Sequence, residues 1–532
     1  MNRQIARLGL GFLVLYAVLF VQLNRVQVFQ GQELQDDPGN SRSVVREFGQ
    51  PRGSISTADG VLVAQSVEVD DEQFERQRVY PHGELYAHTT GHYSFNVGAT
   101  GVERQYDDEL AGTAFDQEFA SLGDLFLDRD TTADLTLTLR DDVQRAARDA
   151  LGERKGSVVA LDPRTGAVLA AYSWPSYDPN PVSGVDPEAA NAAWEALVVD
   201  PANPVLERFH RELFFPGSTF KVVTASAALE AGAATLTDPT FPSVSSYTPP
   251  LTEVPISNFG GSTCGGPLID ILRRSCNTSF AELAAERVGP DPVVERAEAF
   301  GFNDTPPIDL PATEASFFPT DFGAPLEPVD TFYDRPLPTT PDGQPVDDDE
   351  LVFIHEDTPG LARSAIGQLD VKSTPLQMAL AAAAVANEGL IETPHVVGEI
   401  RDRDAQLIGG GPVGLWRQAM SPSTAADMRQ AMLAVVESGT ATGLAIPGFE
   451  VGGKTGTAQL GRDVDETHAW IVGFAGPAGE EPTVAVAVIV EADPAIGQQT
   501  GGTVAAPVAR QVLSAALNPV EPADGGSGDL PG

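Results

Sequence analysis

Apolar residues recur along this chain in three rhythms, and each predicts a different element. Residues 8–21 are apolar throughout except Tyr16, follow Arg3 and Arg7, and continue past Gln22 to Leu23. A signal-peptide core competes with this reading, but Asn24-Arg25-Val26-Gln27 offers no small-residue cleavage site, so the stretch predicts an uncleaved membrane anchor with its basic end in the cytoplasm. Residues 52–64 predict two short strands around the Asp59-Gly60 turn, and residues 98–103 a Gly-rich loop. Alternation at 134–139 predicts a strand leading into an amphipathic helix over 140–151, then a hairpin, 156–162 and 167–173, around Pro163-Arg164-Thr165-Gly166. Pro216-Gly217 breaks the chain, and small and apolar residues from Ser218 to Gly232 predict a helix starting at Ser218.

Further on, helices are predicted over 268–273 and 280–287, with Ser279-x-x-Glu282 reading as a capping box. An alanine-rich helix follows Thr374-Pro375. Gly452-Gly453-Lys454-Thr455-Gly456-Thr457-Ala458 leads past a turn into strands at 469–475 and 483–490, and a last helix spans 504–517. Residues 303–360 are rich in Pro and Asp and predict a solvated excursion. The resulting division is a cytoplasmic stub and anchor over 1–24, a mixed pedestal over 25–133, an α/β (α+β) domain with one sheet over 134–517, and a disordered tail over 518–532.

The 532-residue length fits two or three domains, and the charge narrows the partners. Asp plus Glu number 75 against 33 Lys plus Arg, a formal charge of −42, which excludes a phosphate-backbone binder. Only Lys155, Lys221, Lys372 and Lys454 are lysines, so a lysine here points to a need for a titratable amine. Cys264 and Cys276, both on the extracytoplasmic side, favour a disulfide over two buried thiols. His88 and His92 have ligand spacing but lie beside Gly91 and two threonines, and no further ligands accompany them.

Three short motifs stand in order: Ser218-x-x-Lys221, Ser275-Cys276-Asn277 and Lys454-Thr455-Gly456. On a helix, Ser218 and Lys221 are neighbours, so a lysine with a lowered pKa could take the serine proton. Singly, each motif has a plainer reading. Ser218 could be an N-cap with Lys221 reaching solvent, Ser275 to Asn277 a helix-start cluster, and Lys454 a solvated residue at a strand end. Two of only four lysines falling in such motifs makes coincidence a poor explanation.

The ordered triple resembles the signature of penicillin-binding proteins and serine β-lactamases. Arg52-Gly53, Tyr80-Pro81-His82-Gly83, Gly101-Val102-Glu103, Ile366-Gly367-Gln368, Thr374-Pro375-Leu376-Gln377-Met378 and Gly501-Gly502-Thr503 make the likeness closest to class B penicillin-binding proteins of the actinobacterial PbpA type. The resemblance implies a transpeptidase domain whose central antiparallel sheet is flanked by helices, preceded by a dimerisation-type pedestal and a single-pass anchor. It also implies a peptidoglycan D,D-transpeptidase that β-lactam antibiotics acylate, whose donor ends in D-Ala-D-Ala and whose partner is a polytopic glycan polymerase. Neither metal nor organic cofactor is implied.

In that scheme Ser218 is the nucleophile, Lys221 its base, Ser275 a proton relay, Asn277 a substrate donor that also holds Lys221, and Lys454 a positive charge. Thr455 binds the substrate carboxylate, Gly456 leaves room for substrate along its strand, and the N–H groups of Ser218 and Thr457 stabilise the oxyanion. A D,D-carboxypeptidase, a β-lactamase and a non-catalytic penicillin sensor or scaffold are the competing readings. No Glu-x-x-Leu-Asn lies between Asn277 and Lys454 to activate a deacylating water, and no second signalling region accompanies the anchor.

Overall fold

The computed structural model describes residues 50–518 together with 15, 16 and 48, apart from 72–73, 115–130, 341–343, 345, 348–350 and 460–465. Except for residues 15 and 16, the expected anchor lies outside the described residues, as does the tail from 519. Among those described, no helix is long and apolar enough to cross a membrane.

The larger unit is built on a five-stranded sheet of β1 (Gly156–Leu161), β2 (Val168–Trp174), β3 (Phe449–Gln459), β4 (Thr467–Pro477) and β5 (Val484–Val490). The strand order is β3-β4-β5-β1-β2 and every neighbouring pair is antiparallel. β5 reads Val-Ala-Val-Ala-Val-Ile-Val and is buried at every residue, as a strand covered on both faces must be. The helices that position the site are α1 (Asp141–Leu151), α2 (Lys221–Glu230), α3 (Leu268–Arg274), α4 (Asn277–Leu283), α5 (Pro375–Ala386), α6 (Pro422–Ser438) and α7 (Ala506–Leu517).

α1 and α7 pack on each other and on β2, β4 and β5, while α5 packs against β1, β4 and β5. All of α5 is buried, and its start is set by Thr374, whose side chain accepts from the Gln377 N–H, with Pro375 in the first position. α6 lies against both β3 and α3, so it ties the strand carrying Lys454 to the helix that ends at Ser275.

A second sheet joins residues distant in sequence. Its strands are Ile55–Ser56, Leu62–Glu68, Arg76–Val79, Asp134–Leu137, Val397–Arg401 and Leu407–Gly409. Ile55–Ser56 runs parallel to Asp134–Leu137, which in turn pairs antiparallel with Val397–Arg401, so chain from the later half completes the pedestal sheet. Beside this sheet, on the helix Gly101–Gln105, Glu103 is fully buried and its carboxylate accepts from Arg52 Nε at 2.7 Å and Arg78 Nε at 2.6 Å. Without both guanidinium groups that buried charge would be strongly destabilising.

Several sequence expectations change. Residues 98–103 are not a loop: Gly98–Ala99 is a short strand and Gly101–Gln105 a helix, with Gly101 at φ 57° and no space for a Cβ, which would lie 2.6 Å from Thr89 O. The capping box at Ser279 is not used, because the helix already begins at Asn277 and Ser279 is buried. The 303–360 segment is not simply solvated. Phe318 is buried and stacks on Phe220, and the buried Asp309 accepts from Tyr106 Oη, Val396 N and Val397 N at 2.6–3.0 Å, pinning the pedestal to the later half. His88 and His92 contact Pro204 O and Tyr177 Oη, and among the described residues no His, Cys, Asp and Glu group could hold a metal.

Candidate active site

The serine stands on a tighter turn than expected. Gly217–Phe220 is a 3₁₀ helix that passes directly into α2 at Lys221. Gly217 sits at φ 53°, where a glycine is at ease, and its N–H is held by Gly367 O at 2.9 Å. Thr219 Oγ1 donates to Pro216 O at 2.7 Å and Trp470 Nε1 donates to Phe215 O at 3.0 Å. Behind the turn, Phe220 is stacked on Phe318 and meets Phe302 edge-on. Ser218 is thereby fixed at the start of a helical turn, where N–H groups have no carbonyl of their own helix to bond.

Lys221 and Lys454 are both fully buried. Lys221 Nζ donates to Asn277 Oδ1 at 2.7 Å, Ser275 O at 2.9 Å and Ser275 Oγ at 3.3 Å. Lys454 Nζ donates to Ser275 Oγ at 2.8 Å and Thr455 O at 2.7 Å. The Ser275 hydroxyl therefore lies between two amines. Burial, and then the neighbouring Lys454 charge, hold the Lys221 amine well below its ordinary value, and burial lowers Lys454 to about 7. An amine that three bonds hold can accept a proton only after losing its own, so the neutral form of Lys221 must release one of these bonds.

Ser275 is presented by a helix end. It caps α3 in the left-handed conformation at φ 61°, ψ 44°, and α4 begins two residues later at Asn277. The expected bridge between Cys264 and Cys276 is present, with Cα atoms 5.4 Å apart, and it ties this turn to the short strand Cys264–Gly266. Asn277 Nδ2 donates to Ser257 O at 3.0 Å, which fixes the amide so that its oxygen faces Lys221.

These residues border an open cleft of 640 Å³. Ser218, Ser275, Asn277, Thr455 and Thr457 line it directly, whereas Lys221 and Lys454 lie behind its surface. β3 is an edge strand, paired only with β4, so its free edge faces the cleft. Gly456 has a packing role that the sequence did not suggest. It does not line the cleft; a Cβ there would come within 2.9–3.0 Å of Pro216 O, Trp470 Cβ and Thr219 Cγ2. The glycine lets β3 approach the serine turn.

Sequence reasoning passed over Thr440, whose Oγ1 is 2.7 Å from Thr455 Oγ1, and Trp470, which carries the turn before Ser218. Neither lies in a motif, and only their place beside β3 reveals them. Gly367 and Gly501, which lie in segments that carry the family resemblance, are required sterically: a Cβ at Gly367 would stand 2.1 Å from Gly217 O, and one at Gly501 1.9 Å from Trp470 O.

Comparison with known proteins accords with this geometry. The family model of the penicillin-binding protein transpeptidase domain matches residues 156–514, and that of the penicillin-binding protein A dimerisation domain matches 52–134. The chain is 38% identical to the peptidoglycan D,D-transpeptidase PbpA of Mycolicibacterium smegmatis over 97% of this chain and 99% of that protein, and 37% identical to PbpA of Mycobacterium tuberculosis with the same coverage. Among solved structures, it matches the ceftriaxone acyl-enzyme complex of penicillin-binding protein A from M. tuberculosis with a TM-score of 0.76 and 35% identity, over 89% of this chain and 100% of that one. With both domains matched in sequence and in fold, the chain belongs to the class B penicillin-binding proteins, among those of the PbpA type.

Proposed function

We propose that the protein is a peptidoglycan D,D-transpeptidase, which joins stem peptides through a serine acyl-enzyme and is acylated by β-lactams. The observation that carries this is the convergence on one cleft of Ser218, the Ser275 and Asn277 turn, and β3, with two buried amines meeting at Ser275 Oγ.

The Ser218 Oγ–H proton passes to neutral Lys221 Nζ as Oγ attacks the carbonyl between the last two D-alanines. The resulting oxyanion accepts from the N–H groups of Ser218 and Thr457. When the C–N bond breaks, the departing D-alanine amine takes a proton from Ser275 Oγ, which the amines of Lys221 and Lys454 on either side replenish. Asn277 orients the donor peptide and Lys221, and Thr455, braced by Thr440, binds the terminal carboxylate. An acceptor amine then attacks the ester, its proton follows the reverse route, and Ser218 is released. Two amines whose pKa values burial lowers suit a nucleophile that arrives with protons to lose.

The apolar stretch at 8–23 supports single-pass anchoring in the cell membrane with the chain after residue 25 outside, the pedestal over 25–133 and the transpeptidase domain over 134–517. A polytopic glycan polymerase is the partner such an enzyme needs, since uncross-linked strands are its substrate. Labelling with a fluorescent penicillin followed by peptide mapping tests the reading: a single adduct on Ser218 is expected, and labelling that persists in Ser218→Ala overturns it.

A further inference from the structure

The cleft departs from the rest of the molecule in charge. In a chain with 75 Asp plus Glu against 33 Lys plus Arg, none of the described residues lining the cleft is Asp or Glu, and two are arginines, Arg274 and Arg363. A surface of this composition would place carboxylates around most openings, so a cleft without them favours anions.

Arg274 makes the preference specific. It follows Arg273 on the last turn of α3, but the two diverge. Arg273 is engaged by Asp270 at 2.8 Å and by Ser438, whereas Arg274 turns to the cleft with one N–H group on Thr263 O at 2.7 Å. A guanidinium offers five N–H donors in a planar fork, so Arg274 keeps enough to bind a carboxylate bidentately. It immediately precedes Ser275, the left-handed cap of α3. Arg363 lines the same cleft from the 363–368 segment, with Nη2 donating to Val254 O at 3.3 Å.

The terminal carboxylate of the donor does not account for Arg274, because Thr455 on β3, a different element, already serves it in the reading above. We propose that Arg274, with Arg363 as the second cation of the same wall, forms a subsite for another carboxylate of the donor, one carried on a side chain upstream of the scissile bond. The preferred donor is then a stem peptide whose diamino acid keeps a free carboxylate, rather than one whose carboxylate is amidated. This rests on the transpeptidase reading and specifies its substrate.

The test uses two thioester donors identical except that one ends its upstream side chain in a carboxylate and the other in a carboxamide. With the anchored protein in detergent, kcat/KM for the carboxylate donor should exceed that for the carboxamide donor by about tenfold, as a charge-assisted bond supports, and the advantage should shrink at high salt. Arg274→Gln should remove the advantage while leaving turnover of the carboxamide donor and acylation by penicillin unchanged; Arg363→Gln should reduce it. Equal use of both donors by the unaltered enzyme, or an advantage that survives in Arg274→Gln, overturns the subsite. A fall on both donors alike in Arg274→Gln overturns it too, assigning the arginine to the terminal carboxylate. Failure of penicillin to acylate Ser218 would instead sink the underlying transpeptidase reading.

Discussion

Replacing Lys454 with methionine should make the protein inactive and, below neutral pH, more stable. The amine is fully buried and its pKa is lowered from 10.5 to about 7 by that burial. Between these two values the unfolded chain binds a proton at this position and the folded chain does not, so stability from this group rises with pH across that window. Below about pH 7 both states are protonated, and the folded state carries the full burden of a buried charge.

The slope is about 1.4 kcal/mol per pH unit, or about 3 kcal/mol between pH 7 and 9.5. Lys454→Met also loses the bonds to Ser275 Oγ and Thr455 O, which shifts stability by about 1–3 kcal/mol independently of pH. The difference curve between variant and unaltered protein is therefore informative in its slope rather than its offset. Urea unfolding can be followed by the fluorescence of the four tryptophans, among them Trp470, which lies opposite Gly456 across the β3–β4 pair. The variant should gain relative to the unaltered protein as pH falls from 9.5 to 7, and level off below. Parallel curves over that range would refute the reasoning, because they would mean that Lys454 stays charged in the fold.

Ser218→Ala should abolish covalent penicillin binding, and Lys221→Ala should slow acylation by about 10²–10⁴, the usual contribution of a general base, while a circular-dichroism spectrum stays unchanged. Acylation should rise with pH until Lys221 is neutral, and the stopped-flow rate with penicillin should level off well below pH 10.5 because burial and Lys454 lower that amine. Gly456→Ala should destabilise by about 1–3 kcal/mol through crowding and should slow acylation of every donor alike, since its Cβ meets Pro216 and Thr219; a variant of unchanged melting temperature that fails only on bulky donors would restore the role of making room for substrate. Replacing both Cys264 and Cys276 with serine should lower stability by about 3 kcal/mol for so short a loop, read by denaturant unfolding of the folded protein.

Where a residue's partner is local, the sequence made the structure legible. The β1–β2 hairpin, α1, α5 and α7 follow from periodicity and caps, and Ser218 to Lys221 follows from spacing along one turn. Legibility failed where a long-range contact decides. Glu103 lies in a glycine-containing stretch that reads as a loop, and only Arg52, just before the first strand, and Arg78, on the strand Arg76–Val79, make its buried charge possible. Asp309 lies in an acidic, proline-rich run, yet backbone donors at Val396 and Val397 draw it inside. The packing role of Gly456 is hidden for the same reason, because Pro216 and Thr219, which a Cβ there would meet, are distant in sequence. The hydrogen bonds of Lys221 also go to Ser275 and Asn277 on a distant turn and none to Ser218 Oγ, which no helical spacing could reveal.

A transpeptidase must pass the acyl group of its acyl-enzyme to an amine in preference to water. The most direct measurement incubates the enzyme with a thioester donor, with and without a D-amino acid acceptor, and compares hydrolysed with aminolysed product. Slow hydrolysis that falls further as aminolysed product grows with acceptor concentration is the expected result. Rapid hydrolysis that added amine neither diverts nor slows would contradict the account and make the enzyme a carboxypeptidase.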